Sequence, residues 1–368
     1  MLKDHATPEG TADYARRFVQ YPVNYRPLLG LSISSVGIGT YLGNEDGATD
    51  AAYTQAIQAA VTGGVNLIDT AVNYRCQRSE RVIGNVMRGL ANDGSLKREQ
   101  VVIATKGGYV AFDGEVPANP RSWFEENFLK PGILQPSDLV QGSHCMTPRY
   151  LEAMLDLSRS NLGLETIDIY YIHNPETQLS AVSREEFFAR IRNAFEFLEG
   201  AVQAGKIRFY GAATWSGFRV QPNERGYLSL ADLVKVASDV AGANHHFRVI
   251  QLPYNLAMTE ALTLRNQTLP GGNQVSLLAA ADTMGIAVCA SASLLQGQLT
   301  QRLPDVLQTA FPAMESDAQR SIQFSRSTPG IGVTLIGMSS IAHVEQNLAT
   351  LKHPPSPDAL MKLFTRAD

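Results

Sequence analysis

Apolar residues along this 368-residue chain recur on two alternating periods. Eight short β-branched or apolar runs, at 35–40, 65–69, 101–106, 167–173, 207–213, 249–253, 286–290 and 333–336, are separated by segments whose apolar positions fall three and four apart. A strand-like run followed by a helical one, repeated in this way, is the βαβα signature of a parallel sheet. Eight such units are what a closed (β/α)₈ TIM barrel of the α/β class requires. The intervening segments carry helix punctuation. Tyr53, Ile57, Ala60 and Val61 form one face ahead of Gly63-Gly64, and Ser79 is placed to cap a helix burying Val82, Ile83, Val86, Met87 and Leu90. Thr147-Pro148 reads as N-cap and first position of a helix carrying Leu151, Met154, Leu155 and Leu162 and ending at Gly163. Ser183 with Glu186 reads as a capping box before Phe187, Ile191, Phe195, Leu198 and Val202, with Gly205 closing the helix.

Two stretches interrupt the repeat. Residues 107–145 hold Gly, Pro, Trp123 and several Phe over a length too great for a strand-to-helix connection, which predicts a loop inserted on the catalytic face, shaping the substrate pocket. Residues 1–25 precede the barrel as an N-terminal extension, and 28–36 is expected to form a hairpin over the barrel floor. No flexible linker marks a second domain, so residues 1–368 read as one barrel domain with long loops on the catalytic face.

Composition narrows the function classes. Lys plus Arg total 31 against 35 for Asp plus Glu, a net charge of -4, and no basic block is present to grip a phosphate backbone, which argues against nucleic acid as a partner. No stretch approaches the roughly 18 apolar residues of a spanning helix, and Met1-Leu2-Lys3-Asp4-His5 is not followed by an apolar run, so no membrane partner and a cytoplasmic location are expected. Cys76, Cys145 and Cys289 lie far apart without CxxC spacing, which predicts reduced thiols and no structural metal site. The His144-Cys145 pair supplies too few ligands for a metal, and His245-His246 reads as surface at the barrel end opposite the chemistry.

Three polar residues close apolar runs: Asp69, Lys106 and His173, with Tyr74 five positions beyond Asp69. A charge at the end of a buried strand is costly unless several strand ends converge on one polar pocket, as parallel barrels arrange for catalysis. Singly, each has an ordinary explanation as a helix cap, a solvated charge or packing; at matching ends of three successive strands they read as a set. A phenol normally titrates near pH 10, and a neighbouring ammonium is expected to lower it, so Lys106 is expected to acidify Tyr74 while Asp69 keeps Lys106 protonated. His173 then hydrogen-bonds a substrate oxygen. Such a set suits proton donation to a carbonyl oxygen as a hydride reaches the carbon, or the reverse, and the hydride requires a nicotinamide or flavin.

At these residues the chain resembles the aldo-keto reductase superfamily, from about residue 37 to 348. Gly39-Thr40-Tyr41, Asp69-Thr70-Ala71 with Tyr74 and Ser79-Glu80, Ala104-Thr105-Lys106, and Asp168-Ile169-Tyr170 with Ile172-His173 are similar to its successive signatures, in order. The resemblance implies a cofactor, NADP(H), bound without a Rossmann domain, with Tyr74 as acid/base, Lys106 and Asp69 tuning it and His173 orienting the carbonyl. It implies further that Gln251 holds the nicotinamide amide, and that Gly337-Met338-Ser339-Ser340 with Gln346 and Asn347 grips the adenosine phosphates, where a turn before a helix N-terminus also offers N–H groups to an anion.

The chain departs from the pattern in three places. Ala213-Thr214 stands where Ser-Asn is usual, Ser291 in Ala290-Ser291-Ala292-Ser293-Leu294 stands where a tyrosine stacks on the nicotinamide, and Met338 and His343 stand where Lys and Arg are common. Each charge-assisted hydrogen bond withheld from a 2′-phosphate weakens its binding by on the order of 1.5–3 kcal/mol, so NAD(H) stays open beside NADP(H). Tyr109, Phe112 and Trp123 are candidate substrate walls. The expected activity is interconversion of a small carbonyl and an alcohol. A nucleotide-binding sensor and a Schiff-base enzyme using Lys106 are the alternatives. The sequence carries no signal for oligomeric state.

Overall fold

In the computed structural model, which describes residues 1–21 and 23–364, the eight apolar runs become eight parallel strands closed into a barrel. They are β1 (Val36–Gly39), β2 (Leu67–Asp69), β3 (Val102–Gly107), β4 (Ile167–His173), β5 (Ile207–Ala213), β6 (Phe247–Pro253), β7 (Ala287–Ser291) and β8 (Val333–Gly337). Each pairs with its neighbour in the chain, with one register shift at Tyr210/Gly211 between β5 and β6, and β8 returns to β1 through Thr334 opposite Val36 and Gly337 opposite Gly39, so no sheet edge is left open.

The barrel interior follows the period of two. Leu67, Val102 with Ala104, Ile169 with Tyr171, Val249, Cys289, and Val333 with Leu335 point inward and pack together. Two residues further along the same inward faces stand Asp69, Lys106, His173, Gln251 and Ser291. The apolar rows that fill the barrel therefore end, at one mouth, in polar side chains. Gly37 is confined by this packing, since a Cβ there would lie 2.8 Å from Leu335 and 3.0 Å from Leu67.

The other mouth is plugged. A hairpin pairs Tyr25–Leu28 with Leu31–Ser34, beginning earlier than the predicted span of 28–36. Its turn residues Leu29 and Gly30 both have positive φ (55° and 77°), the type I′ geometry whose twist matches the strands. Leu28, Leu31 and Ile33 seal the interior cluster from below. The helix Pro8–Arg16, capped by Thr7, lies beside the hairpin, and the buried Tyr14 hydroxyl donates to the Val65 carbonyl at 3.0 Å. Asp168 ties this end together: its carboxylate accepts from the Arg98 guanidinium (2.7 Å), the Ile103 N–H (2.7 Å) and the Ala6 N–H (2.7 Å).

The predicted helices form with two changes at their starts. The helix Gly47–Thr62 buries Tyr53, Ile57, Ala60 and Val61, and Pro148–Leu162 ends at Gly163 in the left-handed conformation, φ 66°. Ser183 caps Arg184–Gln203 by accepting from the Glu186 N–H, but the Glu186 carboxylate turns to Arg190 instead of closing the box. Ser79 is not a cap: the helix Arg78–Asn92 begins from Gln77, and the Ser79 hydroxyl donates to the Thr40 carbonyl at 2.8 Å. A peg to the β1 turn wins over a cap because Ser79 is buried against it.

Between β3 and the helix Pro148–Leu162 lies a helical turn, Pro120–Phe124, continued as a π-helical turn, Glu125–Leu129. Phe128, Leu134 and Cys145 form a small apolar cluster with Tyr150 and Met154 of the following helix. The three cysteines are free and buried. Among the described residues no helix is long and apolar enough to cross a membrane.

The Arg98–Asp168 pair is almost fully buried. Asp168→Ala strands a buried guanidinium and two N–H groups, and urea unfolding is expected to show a loss of about 3–5 kcal/mol, most of it recovered when Arg98 is also replaced by Met.

Candidate active site

The site forms because β2, β3, β4 and β6 stop in register at the same mouth. Asp69 lies opposite Gly39 on one side and Ala104 on the other, Lys106 is opposite Tyr171, and His173 is opposite Ala213, which in turn is opposite Gln251. The Lys106 ammonium, 1% exposed, donates to Asp69 Oδ1 (2.7 Å) and to the Thr70 carbonyl (2.7 Å). The second oxygen of Asp69 accepts from Gln251 Nε2 at 2.7 Å. One carboxylate thus binds an ammonium from β3 and an amide from β6. The Gln251 carbonyl oxygen is left for another donor.

Tyr74 sits above this pair. The Lys106 Nζ lies 4.9 Å from the centre of its ring, and the ring meets Tyr41 (5.0 Å) and His173 (5.9 Å) edge to face. The backbone that delivers it is unusual. Arg75, Cys76 and Gln77, directly after Tyr74, all have positive φ (49°, 52° and 72°), which costs on the order of 1 kcal/mol or more per residue. Polar anchors hold the turn. Arg75 donates to Asp50 (2.5 Å) and the Asn44 carbonyl (2.8 Å), Arg78 donates to the other oxygen of Asp50 (2.6 Å), and Gln77 donates to the Phe112 carbonyl (2.9 Å). Glu80 accepts from the Thr105 hydroxyl (2.6 Å) beside Lys106, joining the helix start to β3.

The electrostatics differ from expectation at the phenol. Burial raises the Tyr74 pKa; Lys106 draws it down, but Asp69 partly cancels that charge, and the net direction is upward. The predicted acidification of the free site is therefore overridden by the cost of burying a phenolate. Burial opposes the charge on Lys106 as well, yet Asp69 and Tyr74 outweigh it and the ammonium is raised above its usual range. His173 is driven well below its ordinary value by burial, then by Lys106 and His144, and so is neutral near pH 7.

A second layer holds His173 from behind. His144 Nε2 lies 2.7 Å from the His173 carbonyl oxygen and donates to it, because its Nδ1 is taken by the Gln178 amide N–H at 2.8 Å; Arg190 donates to Gln178 Oε1 at 2.6 Å. Burial lowers His144 to about 4. Tyr109 packs edge-on to both imidazoles at 5.0 Å. His144 is thus a support, and its neighbour Cys145 packs in the apolar cluster of the insert. His245 is buried at the opposite end, contrary to its reading as surface, while His246 is part-exposed with Nδ1 2.8 Å from Glu199. The main chain beside His245 is pinned to β5, the Tyr210 N–H donating to the His246 carbonyl at 3.0 Å.

Above these residues opens a cavity of about 1040 Å³. Asp69, Tyr74 and His173 line it, whereas Lys106 lies beneath the wall. Gly39, Thr40 and Tyr41 come to it from the β1 turn, Thr214 and Gln251 from β5 and β6, and Ser291 and Leu294 from β7 and its loop. Gly337 and Ser339 follow from β8, with His343, Gln346 and Asn347 from the helix Ile341–Leu348. Met338 is fully buried and outside the wall, so at this turn it is Ser339 that faces the cavity. Trp215, Asn73 and Asn174 also line it and were not singled out from the sequence; their one signal there is adjacency to Thr214, Tyr74 and His173. Of the proposed aromatic walls only Tyr109 reaches it. Phe112 and Trp123 meet each other edge to face within the insert (5.1 Å).

The wall offers polar groups to a ligand. Asn73 Oδ1, His173 Nδ1 and Thr214 Oγ1 are buried polar atoms without a partner, and with the spare Gln251 oxygen they leave the residues of the wall with unmet hydrogen-bonding capacity. The volume exceeds the usual range for a small-molecule pocket and leaves room for a dinucleotide beside a substrate. Among the described residues no cluster of three or more His, Cys, Asp or Glu could hold a metal ion.

The model of the Aldo/keto reductase family matches residues 35–367. The chain is 26% identical over 193 residues to a 6-dehydroglucose reductase of Novosphingobium aromaticivorans and 30% identical over 172 residues to an NADH-specific methylglyoxal reductase of Escherichia coli; these matches cover 51% and 46% of this chain and 49% and 42% of the relatives. The chain therefore spans about half the length of these relatives. L-galactose dehydrogenase of Arabidopsis thaliana is 24% identical over 342 residues, 88% of this chain and 85% of that one. In structure the chain is similar to an aldo/keto reductase of Klebsiella pneumoniae solved with NADP and acetate, with a TM-score of 0.61, 20% identity, and coverage of 93% of this chain and 94% of that one.

Because His144 is held neutral, the unfolded chain takes up its proton first as pH falls, and stability present above about pH 6.5 drains away toward pH 4. Between pH 7 and pH 5 the wild type should lose about 2 kcal/mol more in urea unfolding than His144→Gln does over the same interval.

Proposed function

The chain belongs to the aldo/keto reductase family, and from that premise we propose that it interconverts a small neutral carbonyl compound and the corresponding alcohol with a nicotinamide dinucleotide. The observation that carries this reading is the stack of Asp69, Lys106 and Tyr74 under an open cavity, with neutral His173 beside it.

A bound nicotinamide would supply the hydride, which no side chain can give. Gln251, fixed by Asp69, would accept from the carboxamide, with Thr214 beside it; Ser339, Gln346 and Asn347 would face the adenosine half. The protein's own work is on the proton. The Tyr74 phenol is protonated at neutral pH and donates to the carbonyl oxygen as charge develops there. Lys106 stays charged beneath the ring and stabilises the phenolate left behind, while Asp69 keeps that ammonium in place. His173, neutral, offers an N–H to the same oxygen. Its imidazole is steadied by Tyr109 and its backbone by His144. In the oxidative direction the sequence runs backward, with the Tyr74 phenolate taking the alcohol proton.

This set leaves Lys106 unsuited to Schiff-base chemistry, since its lone pair is committed to a proton shared with Asp69 and Thr70. The departures at Ala213 and Ser291 support the sensor reading only if a nucleotide binds and no carbonyl is turned over.

Tyr74→Phe should lower kcat for carbonyl reduction by about 10²–10⁴-fold and leave the cofactor Kd within about twofold, measured by stopped-flow absorbance and fluorescence titration. Unchanged turnover across an aldehyde panel would reject the role.

The pH dependence has opposite signs in the two directions. Reduction needs the phenol protonated, and with Tyr74 raised and His173 lowered its rate should be flat from pH 6 to 8. Oxidation needs the phenolate and should climb throughout that range. A reductive limb that falls between pH 6 and 8 would place another group in the acid role.

A further inference from the structure

We infer that the dinucleotide this cavity selects is NAD(H) and not NADP(H), a statement that rests on the reductase reading above and adds to it. Charge at the wall sets this selection. Among the described residues no lysine or arginine lines the cavity; its ionisable members are Asp69, Tyr41, Tyr53, Tyr74, Tyr109 and the imidazoles of His173 and His343.

The cations packed behind the wall are already paired, and Arg302, exposed beyond Thr300, lies outside the lining. Lys106 lies under the wall, buried, and gives its protons to Asp69 and the Thr70 carbonyl. Arg75, behind Gly43 and Tyr53, is held by Asp50 and the Asn44 carbonyl. Arg320 is held by Asp317 and the Met314 carbonyl. His173 is kept neutral by its surroundings.

The two cofactors differ by one phosphate monoester on the adenosine ribose, which carries close to two negative charges at neutral pH. Taking it out of water without a cation beside it is unfavourable, and an ammonium or guanidinium is the usual partner. The pyrophosphate shared by both carries less charge per group and is served by backbone N–H groups, such as those where β8 turns into the helix Ile341–Leu348. A free ribose hydroxyl is neutral, and the hydroxyl and amides at the wall, Ser339, Gln346 and Asn347, match it as donors and acceptors. The burial of Met338 removes the one long side chain of that turn from the wall.

The test is direct binding, independent of turnover. The wild-type protein is titrated with NADH and with NADPH, following quenching of Trp215 in the cavity wall and, separately, the heat of binding. NADH is expected to bind at least tenfold more tightly. Ser339→Arg combined with His343→Arg should shift the ratio of NADPH to NADH affinity at least tenfold toward NADPH, with far-UV circular dichroism and a thermal midpoint like those of the wild type certifying that the variant is folded. Arg302→Ala, removing an exposed guanidinium two residues beyond Thr300, should change neither affinity. Wild-type NADPH binding as tight as NADH overturns the inference and leaves the reductase reading standing, as does a selective loss of NADPH affinity in Arg302→Ala. Failure of both dinucleotides to bind overturns the inference together with that reading.

Discussion

One carboxylate holds the mouth of this barrel together. Asp69 receives the Lys106 ammonium on one oxygen and the Gln251 amide on the other, each at 2.7 Å, and so ties β3 to β6 across the barrel through a residue of β2. Burying an ammonium without such a partner would be prohibitive, and without the ammonium Tyr74 would have no positive charge beneath its ring. The same bond fixes which end of the Gln251 amide remains free. In the proposed reaction, proton chemistry and cofactor orientation would be coupled through this single side chain.

Around that pair the fold spends stability on placement. Three consecutive left-handed residues follow Tyr74, none of them glycine, and the conformation persists because Asp50 clamps Arg75 and Arg78 while Gln77 is fastened to the Phe112 carbonyl. On the far side, Arg190, Gln178 and His144 form a chain of hydrogen bonds that ends on the His173 backbone. Both devices fix a cavity-lining side chain by gripping the main chain next to it. That suits residues whose tips must stay free for a ligand.

The motif residues that mark the family divide into those gathered at the cavity and those that support the fold elsewhere. Ser79 and Glu80 stand among the signatures, yet neither reaches the cavity: one is bonded to the Thr40 carbonyl and the other to Thr105 and Asn161. Asp168 belongs to the opposite end of the barrel, where it binds Arg98 and anchors the N-terminal segment. Spacing in a sequence cannot separate these roles, because a buried peg and a catalytic group are polar residues at strand or helix ends alike.

The chain by itself determined the barrel and its polar mouth. The alternation of strand and helix periods is local, and an inward face that ends in Asp69, Lys106, His173 and Gln251 follows from a period of two once the strand ends are known. What lay beyond it were quantities set by contacts between distant segments. The rise of the Tyr74 pKa, the support from His144 and the burial of Met338 each depend on how much water is excluded and on which partner arrives from elsewhere in the chain. The confinement of Phe112 and Trp123 to the insert was hidden for the same reason, since nothing in their spacing distinguishes a loop packed on itself from one that reaches the cavity. Desolvation and long-range hydrogen bonds are properties of the packed molecule, so only the tertiary structure decides them.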